Sequence, residues 1–273
     1  MKYFSCVFLM LFCVFASHAQ AQQAKPNIVY FLVDNLGNGE LGCYGGGVLR
    51  GAETPTIDRF ARGGMLLQNF APETQCTPSR SALMTGRYSI RSGNHTVALA
   101  GSEGGLVAWE KTLAEVLSEH GYATACVGKW HIGASKGRWP TDQGFEQWYG
   151  PPHSYDEALW ADDPWYDPNR DPVAHMYEGR RGEDVKPTVQ LTATVKRDAD
   201  LEYLERSKKF IKQSVDADKP FFLYFNHTLM HLPTTPREEF QGKSGHGERA
   251  DCLMQLDHDF KTLLDYLEEL KID

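Results

Sequence analysis

Three short apolar runs, each broken off by polar residues, limit what this chain can become. Ile28-Val29-Tyr30-Phe31-Leu32-Val33 ends in Asp34-Asn35, and Ala123-Thr124-Ala125-Cys126-Val127 ends in Gly128-Lys129-Trp130-His131. Phe221-Phe222-Leu223-Tyr224-Phe225 ends in Asn226-His227, with His231 soon after. Continuous apolar runs rich in β-branched and aromatic residues read as buried strands. Helical patterns stand between them. Thr54 with Pro55 at the first helical position opens one through Ile57, Phe60 and Ala61, which stops at Gly63-Gly64. Leu113, Val116, Leu117 and His120 share a face of a second, closed by Gly121. A third runs from about Leu201 to Val215. From about Glu248, the residues Leu253, Leu256, Phe260, Leu263, Leu264, Leu267 and Leu270 form one stripe. Strands alternating with helices predict an α/β fold with a mostly parallel sheet flanked by helices. Ligands in such sheets bind at the carboxyl ends of the strands. Asp34, Lys129, His131 and His231 are therefore expected in one crevice.

Residues 134–195 break the pattern. They hold Trp139, Trp148, Trp160 and Trp165 among many Pro and Asp, which predicts an ordered excursion walling the site rather than a linker. Its acidic run, Asp162 to Asp171, lacks the spacing and glycine of an EF-hand and reads as a solvated loop. Asn94-His95-Thr96 and Asn226-His227-Thr228 match the glycosylation pattern, but Asn226 is expected at the edge of the site, where a glycan does not fit. His227 reads either as a hydrogen-bonded structural residue or as a substrate contact.

The one long apolar stretch, Tyr3 to Ala16, follows Lys2 and precedes Ala16-Ser17-His18-Ala19 and Ala19-Gln20-Ala21. Residues 1–21 are expected to be a signal peptide, too short to cross a bilayer comfortably, with an uncleaved anchor as the alternative. That leaves a domain from 22 to 273, secreted or periplasmic, with no stable membrane span. Lys and Arg number 28 against 36 Asp and Glu, a net charge of −8 with no basic run, which argues against nucleic acid as a partner. Cys43, Cys76, Cys126 and Cys252 remain after the leader, enough for two disulfides unless one thiol has another task.

Cys76-Thr77-Pro78-Ser79-Arg80-Ser81-Ala82-Leu83-Met84-Thr85-Gly86-Arg87 is the stretch that carries most chemistry. Pro78 is pre-organised for a first helical turn, so Cys76 lies where free backbone N–H groups and the macrodipole favour negative charge. Arg80 is one turn on, within reach of position 76. The residues alone leave open an activated cysteine, an anion site, or a half-buried cysteine before an ordinary helix. The whole string resembles the type I sulfatase family, whose Cys-x-Pro-x-Arg or Cys-x-Pro-Ser-x-Arg element is continued there as in Leu83-Met84-Thr85-Gly86-Arg87 here. Pro26-Asn27-Ile28 through Asp34-Asn35-Leu36-Gly37 agrees in order and spacing, as do Thr54-Pro55-Thr56-Ile57-Asp58, Gly128-Lys129-Trp130-His131, Ser154 after Gly144-Phe145, and His231-Leu232-Pro233. The likeness runs from about 26 to 273.

That resemblance implies an alkaline-phosphatase-like fold, cut before its last core strands, and an arylsulfatase-like sulfuric ester hydrolase. It implies that Cys76 is oxidised to Cα-formylglycine by a separate maturation enzyme, which requires an unpaired thiol and leaves Cys43, Cys126 and Cys252 free or buried. Hydrated to a gem-diol and activated by metal, position 76 would attack the sulfur of a sulfate ester, and loss of a second proton would expel sulfate. By the same resemblance Arg80 holds the diol, His131 is the base, Lys129 and His231 hold sulfate and help protonate the leaving oxygen, and Ser154 touches the sulfate. Asp34 and Asn35, with position 76, would ligate Ca²⁺. The family's usual pair is Asp-Asp, so Asn35 removes one negative charge and implies weaker binding or an altered metal. A second Asp-Asn pair and a sulfate-binding Lys of the family have no counterpart before Asp273, so about half the calcium site is expected here. The substrate implied is a sulfated small molecule or glycan. Two alternatives stand beside it: an inactive truncated remnant, and a phosphoryl-transfer relative using Thr77 or Ser79.

Overall fold

A computed structural model describes residues 25–157 and 159–272, so the expected leader lies outside the described residues. The three apolar runs form β1 (Ile28–Val33), β2 (Ala123–Gly128) and β6 (Phe221–His227). Between β2 and β6 the excursion supplies three more strands, β3 (Gln147–Gly150), β4 (His175–Arg180) and β5 (Lys186–Gln190). The sheet order is β1-β6-β2-β3-β4-β5. Its first four strands run parallel, while β4 and β5 turn back antiparallel. The mostly parallel expectation holds, and the tryptophan-rich segment extends the sheet as well as walling the site.

Among the described residues six α-helices accompany the sheet: α1 (Pro55–Gly63), α2 (Cys76–Thr85), α3 (Ser89–Ser92), α4 (Leu113–Glu119), α5 (Ala193–Asp216) and α6 (Glu248–Glu269). Successive strand residues point to opposite faces, so each face has its own core. Phe221, Leu223 and Phe225 of β6 pack with Ala199, Tyr203, Phe210 and Ile211 of α5 and Leu263 of α6. Phe222 and Tyr224 face the other way, onto Met84 of α2 and Ala114 of α4. Each such ring removed from water contributes about 1.5–3 kcal/mol.

Two expectations need correction. β1 is half-buried along its whole length, unlike β2 and β6, because it is an edge strand of the sheet. α5 begins at Ala193, eight residues before Leu201, with Thr192 capping it: its hydroxyl accepts the Val195 N–H at 3.1 Å. The acidic run is spent locally, Asp162 accepting the Ala193 N–H and Asp171 pairing with Arg170. Asn94 and Asn226 are both buried, which leaves no room for a glycan on either. The four described cysteines are free.

Candidate active site

Three strand ends and one helix start meet at a single point. Asp34 follows β1, Lys129 follows β2, His231 lies beyond β6, and Cys76 opens α2. Lys129 Nζ is at the centre, 2.7 Å from Asp34 Oδ2, 3.3 Å from Cys76 Sγ and 2.7 Å from Ser154 Oγ. Ser154 Oγ is 3.0 Å from His231 Nε2, whose Nδ1 is turned to the Leu232 carbonyl at 2.7 Å. Asp34 Oδ1 is 3.8 Å from Cys76 Sγ. Every residue expected by resemblance to touch sulfate is thus within one hydrogen-bonded chain.

Arg80 is 1% exposed and lies beneath this chain. Its Nη1 donates to the Lys129 carbonyl and to Asn226 Oδ1, both at 2.8 Å. Its Nη2 lies 3.5 Å from Asp34 Oδ2 and makes no hydrogen bond among the described residues. A buried charged donor without a partner is costly unless something binds it. Burial pushes the Asp34 carboxyl up, but Arg80 and Lys129 outweigh it and hold that group well below the usual carboxylate range. One anion between two cations leaves a positive surplus at the mouth of position 76, which suits an anionic substrate.

His131 is 1% exposed and takes a left-handed backbone, φ 58°, directly after β2. Its N–H donates to the Pro152 carbonyl at 3.0 Å, and its carbonyl accepts the Thr77 hydroxyl at 2.7 Å. A residue other than glycine holds such a conformation only when its neighbours impose it. Burial, with Lys129 and Arg80 nearby, pulls the imidazole down to about 4 against the opposing pull of Glu157. Glu157 Oε1 lies 2.7 Å from His131 Nε2, with the ring turned off the best line for a hydrogen bond. Burial raises Glu157, but the His131 contact and the N–H groups of Ser154 and Ala100 bring it down to about 2.

Thr77 and Ser79 are both committed elsewhere: Thr77 Oγ1 also accepts the Ala98 N–H at 3.1 Å, and Ser79 Oγ donates to the Glu73 carbonyl at 2.8 Å. Neither hydroxyl lies in the cluster around Lys129. His227 is fully buried away from the site, its Nε2 3.3 Å from Asp259, which Arg237 holds with a two-pronged contact at 2.9 and 3.1 Å. It is structural, not a substrate contact.

Asn35 is exposed, with φ 59°, and its carbonyl accepts Arg249 Nη2 at 3.0 Å. The same guanidinium grips Glu40 and the Met230 carbonyl, tying the β1 and β6 ends together. Asp34 and Asn35 carry the hard oxygen donors that Ca²⁺ takes, and the ligand atoms of Asp34, Cys76 and His231 fall within 4.8 Å of one another. The donor chemistry fits; two oxygen-bearing side chains fill only part of a shell of about six to eight. Glu157 and Arg249 are the participants that the sequence reading passed over. The excursion closes one side with a cleft of about 440 Å³ lined by Trp139, His153, Ser154, Glu157, His175 and Tyr177, among others.

The sulfatase family model matches residues 26–273. Arylsulfatase A of Homo sapiens is 35% identical over 257 residues, 90% of this chain and 49% of its own length. The crystal structure of PsFucS1 sulfatase from Pseudoalteromonas sp. matches with a TM-score of 0.78 at 31% identity, over 93% of this chain and 54% of that one. A protein of the alkaline phosphatase superfamily from Vibrio parahaemolyticus shares the fold, with a TM-score of 0.52 at 18% identity over 91% of this chain and 52% of that one. The chain spans about half the length of the curated relatives it matches. No helix among the described residues is long and apolar enough to cross a membrane. With the family match running through all three strand ends and the Cys76 helix, the chain belongs to the sulfatase family.

Proposed function

We propose that this chain carries the nucleophile, the sulfate cradle and the first part of the metal site of a sulfuric ester hydrolase, in a domain spanning 22–273 that residues 1–21 export to the periplasm or the cell exterior. The observation that carries the reading is the convergence of Lys129 Nζ on Asp34, Cys76 and Ser154, with His231 joined through Ser154.

Formylglycine at position 76 would supply a hydrated aldehyde oxygen as nucleophile. Ca²⁺ held by Asp34, Asn35 and position 76 would supply Lewis acidity and screen the charge of the sulfate. The chain's own residues do the rest. Lys129, Ser154 and His231 orient the sulfate oxygens, and the free Nη2 of Arg80 holds negative charge at position 76. His231, whose Nε2 is 3.0 Å from the Ser154 hydroxyl, gives a proton from its charged form to the departing alcohol oxygen. His131, neutral at ordinary pH, accepts the proton whose loss releases sulfate. The aromatic and proline-lined cleft beside Ser154 suits the ring of a carbohydrate or aryl ester.

The test is sulfate release from an aryl sulfate by protein co-expressed with a formylglycine-generating enzyme and supplied with Ca²⁺. Release that Cys76→Ala abolishes supports the reading. Release that survives the substitution, or a preference for phosphate esters, overturns it.

A further inference from the structure

Glu157 lies outside every motif that carries the family resemblance, yet it is the carboxylate nearest His131. Two backbone donors fix it, the N–H of Ser154 to Oε1 at 3.0 Å and that of Ala100 to Oε2 at 2.9 Å. It is 11% exposed and lies 2.7 Å from His131 Nε2. Neither ring nitrogen of His131 makes a hydrogen bond among the described residues, and Nε2 is the one that faces the Glu157 carboxylate. The same short loop holds His131 from the backbone through Pro152 and supplies Ser154 to Lys129 and His231. Ser154-x-x-Glu157 therefore joins the sulfate cradle to the base as one rigid piece.

We propose that Glu157 is the positioning residue of His131: its carboxylate takes the Nε2 proton and leaves Nδ1 as the nitrogen that accepts one. The inference rests on the reading of His131 as base. A base oriented by a third group is the general logic of activated nucleophile sites. Rotation of the ring about its terminal torsion, which is broad in histidine, aligns the pair; such contacts tighten when substrate is present. The charged and titratable groups facing His131 are Glu157 and His153 from this loop, Lys129 from the end of β2, and Arg80 from α2. Glu157 is the one anion of that set, so it alone favours a proton on the ring while the two cations disfavour it.

The experiment is ¹⁵N NMR of the His131 ring in the unconverted chain, assigned by its absence in His131→Gln. It reads tautomer and titration without any turnover. The wild type is expected as the Nε2–H tautomer with Nδ1 bare. Glu157→Gln is expected to move the ring titration to lower pH, and Glu157→Ala to bring the Nδ1–H tautomer to a comparable population. A wild-type ring carrying its proton on Nδ1 overturns the proposal, and needs no variant to fold. So do variants that change neither quantity. If converted enzyme is active, Glu157→Gln is also expected to lower kcat about 10- to 100-fold with KM little changed. Absence of turnover would count against the sulfatase reading, while the NMR result would still decide the role of Glu157.

Discussion

Lys129 and Asp34 form a buried ion pair, 2.7 Å from Nζ to Oδ2, across two strand ends that are not neighbours in the sheet. β1 and β2 flank β6, so the pair bridges over it, and Arg80 reaches the same carboxylate from beneath. Lys129→Met leaves Asp34 with Arg80 alone at 3.5 Å, an underpaired buried anion. The expected cost is on the order of 1–3 kcal/mol, measured as a lower urea midpoint with unchanged slope. Adding Asp34→Asn is expected to recover part of that loss, which a double-mutant cycle reads directly.

Arg80 has a structural duty that lysine cannot perform. Its Nη1 serves the Lys129 carbonyl and Asn226 while Nη2 faces Asp34, and a single ammonium cannot occupy both nitrogen positions. Arg80→Ala is expected to cost about 3–5 kcal/mol, the range for breaking a buried pair from one side, and to show as a steep fall in soluble yield and Tm. Arg80→Lys is expected to fall between the two.

The pH dependence of stability follows from three groups whose folded values are depressed. His131 stays neutral down to about 4 when folded and takes a proton near 6.5 when unfolded, so its contribution is present above 6.5 and lost as pH falls from there to about 4. Glu157 and Asp34 stay ionised below their unfolded values, so theirs is lost at still lower pH. Tm is therefore expected to decline from pH 7 toward 4 and drop faster below it. His131→Gln is expected to flatten the upper part of that decline; an unchanged profile would contradict the assignment.

Arg249 is expected to matter for metal more than for stability. It is 45% exposed, so its ion pair with Glu40 contributes under about 1 kcal/mol. Yet it holds the Asn35 carbonyl and the Met230 carbonyl in one grip. Arg249→Ala should leave Tm within a few degrees while weakening stabilisation by added Ca²⁺, and Asn35→Asp should strengthen it on the order of tenfold through the added charge. Calorimetric titration with Ca²⁺ checks both.

Much of this site could be seen in the sequence because topology does the gathering. Asp34, Lys129 and His131 are polar residues closing apolar strands, and a parallel sheet brings such ends together. Arg80 sits at helical spacing from Cys76. What escaped reading depends on distance or on disguise. Glu157 touches His131 from 26 positions away and carries no pattern beyond its three-residue offset from Ser154. Arg249 is a cation in the first turn of α6, an unfavourable place for one, and that anomaly was the clue to its partner Glu40. The first turns of α5 were hidden because its inward face carries Lys196 and Asp200, which hold the Thr228 backbone rather than a core. β3 to β5 are short strands of four to six residues with mixed polar and apolar sequence, too brief for periodicity to register.

The most direct measurement is the rate of sulfate release plotted against the fraction of Cys76 converted to formylglycine, both taken from the same preparations over a range of maturation-enzyme co-expression. The account predicts a straight line through the origin. Sulfate release at zero conversion, or none at full conversion with Ca²⁺ present, would contradict it.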